Sequence, residues 1–427
     1  MAAPLRSKQL FPIISDFCDN LDGELRNISL SLWNRPELAY EEHHAHDLLT
    51  AYLEQQGFTV QHSFHLPTAF CATFTSADFD PNQHSTVCFF AEYDALPTIG
   101  HACGHNLIAI TGVGAAVALK MLLAKSKTYS TETISGKIIC MGSPAEETTG
   151  GKIDLLQAGA LNGVDFCLMA HPAGYNMVAP DVLGLLECEV TFSHDASNES
   201  NLPGCPFGQD VQDAQQSVVD ASIALYAKLS LFRQQLQTAN QIHGVIYHAG
   251  VECQDGRWMA RSHYYLRAPT VVRMAELKRV FQNAVDAAAM FSDCQRKCDY
   301  AVVPFEGLMT NQKMGQVYRK YAELTGTVFP ALPPSYGSTD MGNISNVIPS
   351  IHPMYSVRAS PSSNPDLLIH TEEFQVAAGQ PEAHRQTLNT AKALAMTGLE
   401  LFMNAELAST AKEEFRLTRG ASHANAV

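Results

Sequence analysis

Apolar positions such as Leu10, Ile13, Ile14 and Phe17 open residues 8–56, where hydrophobic side chains recur at helical spacing. The pattern then changes. Residues 86–91 (TVCFFA) form a short unbroken apolar run, the mark of a strand buried on both faces. An Ala- and Gly-rich apolar stretch from Leu107 to Leu123 is long enough for a buried helix. GKIICMGSP (136–144) and DFCLMAHP (165–172) read as two further buried strands, each closed by proline. Strands alternating with helices predict an α/β layer with a mostly parallel sheet.

Near residue 184 the periodicity shifts. LLECEVTFS (185–193) alternates apolar and polar positions, as a half-exposed strand does. A polar loop follows at 195–213, then a helix at about 214–238, strands at 244–250 and 261–269, and a helix at about 270–292. That order predicts a small α+β domain inserted into the first. A helix, a Pro-rich loop (332–343), a strand and a helix at roughly 381–407 complete the first domain, and the tail beyond about 412 reads as frayed. Cys294 and Cys298 stand at i, i+4 in a helical reading, as free thiols. His43, His44 and His46, beside Glu41 and Glu42, read as a solvated helix face.

Composition narrows the classes. A chain of 427 residues suggests two or three domains. Its 46% apolar content excludes global disorder. With 28 Lys+Arg against 43 Asp+Glu, the formal charge is −15, without the basic stripe that nucleic acid requires. The eleven cysteines are an odd number, widely spread and without a C-x-x-C pair, so no disulfide framework is expected. No apolar run reaches 18 residues, and the first residues lack a signal-type apolar core. The expectation is a cytoplasmic protein with reduced thiols and neither membrane nor nucleic acid as partner.

Candidate chemistry gathers at the ends of the predicted strands. His101-Ala-Cys103-Gly-His105-Asn106 follows one strand and opens the apolar helix. A thiolate and an imidazole two residues apart can share one ion; the other reading is a buried Cys beside helix-start histidines. Glu146 and Glu147, in Pro-Ala-Glu-Glu, follow the next strand, where ligands bind in α/β sheets. One can hold a metal while its neighbour acts as general base. His171 ends the third apolar run. Asp94 suits a carboxylate that orients an imidazole, and His370 precedes a capping-box-like segment. Arg257, Arg261 and Arg267 fit either salt bridges or a fork for a substrate carboxylate. Ser338, Thr339 and Asp340 lie in a Gly-bounded loop that either contacts substrate or caps the Met341 segment.

Taken together, AEYDALP (91–97), HACGHN (101–106), PAEE (144–147), AHP (170–172), GSTDMGN (337–343) and IHTEEF (369–374) resemble the co-catalytic metallopeptidases of the aminoacylase and carboxypeptidase-G type, and more narrowly their amidohydrolase branch. WNRPELAYEE (33–42) and YYLRAPT (264–270) fit the same group, so the resemblance runs from about residue 20 to 405. It implies a zinc-peptidase-like catalytic domain with a central mixed sheet, about 1–183 plus 299–427. A ferredoxin-like lid and dimerisation domain, about 184–298, would be inserted in it. Carried over by position, Cys103 would bridge two divalent ions, zinc by default and manganese in some relatives. His105 and His171 would hold one ion, and Glu147 and His370 the other. Glu146 would be general base and Asp94 the orienting carboxylate.

The chain departs from the family in the lid. A His expected after the first lid strand is replaced by Asn198, with His194 four residues earlier. An expected Asn is Gln254, and a nearby Pro is Arg257. Losing one oxyanion donor typically costs about 100–1,000-fold. The resemblance therefore implies a metal-dependent amidohydrolase or dipeptidase acting on a small N-acyl amino acid or dipeptide-like substrate, and a homodimer. Two other readings keep the metal site: an amide-forming, cyclising or transacylating enzyme, and a non-catalytic metal-binding regulatory dimer.

Overall fold

The computed structural model describes residues 3–129, 133–195, 210–236, 239–301, 303–331, 337–358 and 367–423. The chain divides into two compact units. The first comprises Met1–Asp181, Leu308–Tyr336 and Asp340–Gly420; the second comprises Val182–Gly307, Gly337–Thr339 and Ala421–Val427.

The first unit opens with helices α1 (Ala3–Asn20), α2 (Asp22–Asn34) and α3 (His43–Gln55). Strands β1 (Thr59–His62), β2 (Phe70–Thr75) and β3 (Thr86–Glu92) lead into α4 (His105–Ala124) and the short α5 (Ser126–Tyr129). Then come β4 (Lys137–Ser143), α6 (Gly151–Gln157), β5 (Phe166–Leu168) and β6 (His171–Ala173). The second unit holds β7 (Gly184–Asp195), α7 (Asp210–Phe232), β8 (Gln241–Glu252), β9 (Arg257–Ala268), α8 (Val271–Phe291) and β10 (Gln295–Tyr300). The chain returns to the first unit through α9 (Gln312–Leu324), α10 (Met341–Ser345), β11 (Ser350–Ile351), β12 (Met354–Ser356), α11 (Glu372–Ala378), α12 (Pro381–Met403) and α13 (Ala405–His423).

The main sheet runs β1-β2-β4-β3-β5-β11, parallel from β4 to β11 and antiparallel at β1 and β2, so it is mixed. β3 is buried at every position, as its unbroken apolar run requires. Helix α4 packs on it so closely that a Cβ on Gly112 would stand 2.2 Å from the Phe90 carbonyl oxygen. This helix is long and apolar enough to cross a membrane, yet it lies inside the core, against α12.

The second unit is a four-stranded antiparallel sheet of order β10-β7-β9-β8, with α7 and α8 over one face. Its β-α-β-β-α-β sequence is ferredoxin-like.

Several expectations change. The run 165–172 is two strands: β5 pairs in the main sheet, while β6 pairs with β12 in a separate ribbon, so His171 begins a strand instead of ending one. Cys298 lies on β10 and Cys294 in the turn before it, because the pattern after 292 is sheet, not helix. That strand belongs whole to the second unit, which runs on past 298 to Gly307. As far as His423 the tail is helical, not frayed. α13 docks through Asn311 Nδ2, which donates to the Ala411 carbonyl at 2.8 Å, and through Glu414, which accepts the Gln312 and Lys313 amides. Glu42 and His46 are buried, so only part of the expected solvated face of α3 meets water.

Candidate active site

The site is assembled where strands end. Three residues past β3, the segment from Ala95 is fixed by its amide donating to the Glu37 carbonyl. The Glu37 carboxylate accepts the amides of His44 and Ala45 at 3.0 Å each, starting α3. The chain then turns at Gly104 (φ 85°), where a Cβ would meet the Pro172 ring at 2.6 Å, and enters α4 at His105. Only glycine allows that turn to sit against the start of β6. The His370 amide donates to the Ala102 carbonyl, tying a third loop to the same turn.

These constraints bring seven predicted residues together. Cys103 Sγ lies 3.3 Å from His171 Nε2. His105 Nδ1 lies 3.0 Å from Asp94 Oδ1, and its Nε2 faces Glu147 at 3.6 Å and Glu146 at 3.9 Å. His370 Nε2 approaches Glu147 Oε1 at 3.5 Å. Ligand atoms of Cys103, His105 and His171 lie within 4.8 Å of one another, and so do those of Cys103, Glu147 and His370. Cys103 is common to both sets.

The electrostatics suit cations. Burial, then the charge on His105, lowers His171 to about 4. Its Nδ1 donates to the Pro172 carbonyl at 2.6 Å, which leaves the Nε2 lone pair facing Cys103. Burial would raise Glu147, but the neighbouring His370 and His105 imidazoles hold it at about 2. Burial, reinforced by Asp340 and Glu147, pushes Glu146 well above the usual carboxylate range. Burial likewise pushes the Cys103 thiol up, which is the reverse of what an activated nucleophile needs. His105 Nε2 and Glu147 Oε1 are buried without a hydrogen-bond partner. Such atoms are costly unless something satisfies them. A sulfur, imidazoles and carboxylates converging on orphaned atoms fit divalent metal ions.

Residues the sequence reading passed over lie beneath. Glu92 ends β3, and its Oε2 is 3.8 Å from His105 Nε2. Lys152, wholly buried, pairs with Glu92 and with Asp340. Glu42 accepts the Ala145 amide at 3.0 Å, beside Glu146. The signal was present: a charge closing a buried strand, and a Lys directly after the Gly pair that follows PAEE.

The remaining candidates belong to the second unit. Asn198 lies outside the described residues. His194 faces the same side of β7 as buried Val190 and Phe192. Gln254 sits exposed in the β8–β9 turn, and Arg257, exposed at the start of β9, pairs with Asp255 at 2.6 Å. Arg261 approaches Glu189 at 4.0 Å, and Arg267 donates to Ser338 Oγ at 2.6 Å. Thr339 is buried next to Asp340 in sequence.

No protein-family model matches the chain. It is 34% identical over 416 residues to the Xaa-Arg dipeptidase of Homo sapiens, covering 93% of this chain and 90% of that one. It is 35% identical over 412 residues to the Xaa-Arg dipeptidase of Mus musculus, with the same coverage of 93% and 90%. Among solved structures it resembles a dinuclear metal-binding peptidase of Bacillus subtilis, with a TM-score of 0.63 at 17% identity over 90% of this chain and 99% of that one.

Proposed function

Because the chain belongs to the co-catalytic metallopeptidases of the aminoacylase and carboxypeptidase-G type, in their amidohydrolase branch, we propose that it hydrolyses the amide bond of a dipeptide or small N-acyl amino acid with Glu146 as general base. It is an enzyme acting on amide or peptide C–N bonds. A dipeptide ending in arginine is the first substrate to test, since the two mammalian relatives are named for that specificity.

The observation that carries this reading is the convergence of Cys103, His105, Glu147, His171 and His370 around orphaned His105 Nε2 and Glu147 Oε1, with Glu146 alongside. Divalent ions held by those five residues would supply a water of lowered pKa and polarise the scissile carbonyl. Asp94 fixes the His105 tautomer by accepting from Nδ1. Glu146 takes a proton from the attacking water and delivers it to the leaving amine. Burial holds its carboxyl above the usual range, and bound cations would favour the ionised form that accepts the proton. Cys103 serves as a ligand, in keeping with its deep burial.

Zinc is the proposed metal, with manganese as the alternative. A homodimer through the second unit is proposed on its edge strand β8, which exposes Val245, Tyr247 and Val251. A cytoplasmic setting is proposed on the cysteines, all free among the described residues.

The deciding experiment is Glu146→Gln, assayed by amine release from Xaa-Arg dipeptides. The expected outcome is a fall in kcat of about 100- to 10,000-fold with metal content unchanged. Turnover that survives the change overturns the general-base assignment.

A further inference from the structure

Lys152 lies in the first turn of α6 and is wholly enclosed. Its backbone N–H donates to Asp340 Oδ2 at 2.9 Å, and its Nζ donates to Asp340 Oδ1 at 2.6 Å and to Glu92 Oε1. One residue thus joins the last position of β3, the start of α6 and the residue that opens α10. The chain reaches this place through a tight return after β4: Gly150 has φ 81°, and a Cβ on Gly151 would stand 2.0 Å from the Pro144 carbonyl oxygen.

The clamp lies against the reacting groups. Oxygens of Glu92, Glu146 and Asp340 are within 4.8 Å of one another, so the Glu146 carboxylate lies beside the two that the ammonium pairs with. Both Asp340 oxygens are taken by Lys152. Glu92 spends Oε1 on the ammonium, and its Oε2, without a hydrogen-bond partner, is held 3.8 Å from His105 Nε2. Without the ammonium, Glu92 and Asp340 would repel each other and Glu146, and Glu92 would be free to turn towards the ligand set.

We infer that Lys152, through Glu92 and Asp340, is a positioning residue: it pins the floor beneath Glu146 and keeps the Glu92 carboxylate out of the metal ligand set. This rests on the proposed hydrolysis, but its consequence for the metal environment does not.

The test compares wild type with Lys152→Met and with the triple variant Lys152→Met, Glu92→Gln, Asp340→Asn, in which the ammonium and both carboxylates it pairs with lose their charge together. Three quantities are read: thermal stability, kcat and KM on an Xaa-Arg dipeptide, and the visible absorption of cobalt-loaded protein. Lys152→Met should unfold more easily, lose about 10- to 100-fold in kcat with KM little changed, and shift the cobalt bands as Glu92 swings in. The triple variant should regain stability and a wild-type cobalt spectrum while kcat stays about tenfold down. Recovery of kcat together with stability overturns the inference, because charge balance alone would then explain Lys152. An unshifted cobalt spectrum in Lys152→Met overturns it as well. If the single or triple variant does not fold, Asp340→Asn leaves one ammonium facing one carboxylate. Its kcat should fall about tenfold at constant KM, and an unchanged kcat overturns the proposal. If wild type turns over no dipeptide, the proposed reaction fails, and the cobalt spectra still decide the clamp.

Discussion

His105 and Asp94 are joined at 3.0 Å, and the second oxygen of Asp94 accepts the Glu147 amide at the same distance, so one carboxylate sets both an imidazole and the loop after β4. Asp94→Asn keeps the shape but replaces one of the two accepting oxygens with a donor. One tie is lost. Metal affinity or activity should fall about 10- to 100-fold, with affinity measured by competition against a chromophoric chelator. Wild-type affinity and turnover together would show that the ring needs no such partner.

Glu42 acts on the other side of that loop. Its carboxylate is buried and accepts from Thr68 Oγ1 at 2.7 Å and from the Ala145 amide at 3.0 Å. Ala145 has φ 60°, a left-handed conformation disfavoured for a residue with a Cβ, immediately before Glu146. Glu42→Gln leaves one donor without an acceptor. It should cost about 1–3 kcal/mol in chemical denaturation and lower kcat as the turn relaxes. Ala145→Gly should lose no stability, whereas an ordinary helical Ala→Gly change costs about 0.5–1 kcal/mol.

The contact of α4 with β3 has no room to spare. Gly112→Ala places a Cβ 2.2 Å from a backbone oxygen, so helix and strand must separate. A loss of about 1–3 kcal/mol is expected from overpacking. Because α4 starts at His105, metal affinity should drop along with the melting temperature. A stable variant with full metal affinity would mean that the layer shifts without carrying the site with it.

His101 provides a pH-dependent term. Burial, and then the His105 charge, lowers it to about 3. It is neutral in the fold, while in the unfolded chain it takes up a proton near pH 6.5. Between those values the unfolded state holds more protons, so stability is full above about 6.5 and declines as pH falls. The expected loss from this residue is about 1 kcal/mol between pH 6.5 and 5.5. Metal-stripped His101→Gln should show a flatter dependence of melting temperature on pH than metal-stripped wild type. Parallel curves would exclude His101 as the source.

Much of this protein is legible along the chain. The strands β3 and β4 and helix α4 are unbroken apolar runs, and hydrophobic burial needs no knowledge of the partner. HACGHN and PAEE stand at the ends of such runs, so their meeting at one end of a parallel sheet follows from local order and the geometry of the layer. The amidohydrolase branch was readable in those motifs. What the sequence could not specify were the groups whose state depends on a distant partner. Glu42 reads as solvent-exposed until Ala145, 103 positions away, is placed against it. Asp340 reads as a loop residue for substrate or for capping until Lys152, 188 positions away, is enclosed with it and Glu92. Cys298 and His171 changed their elements because strand pairing, not local periodicity, decides where a short strand goes. A hydrophobic side chain is driven inward by water whatever it meets there, whereas a charge is buried only where the fold supplies its counter-charge or its hydrogen bonds.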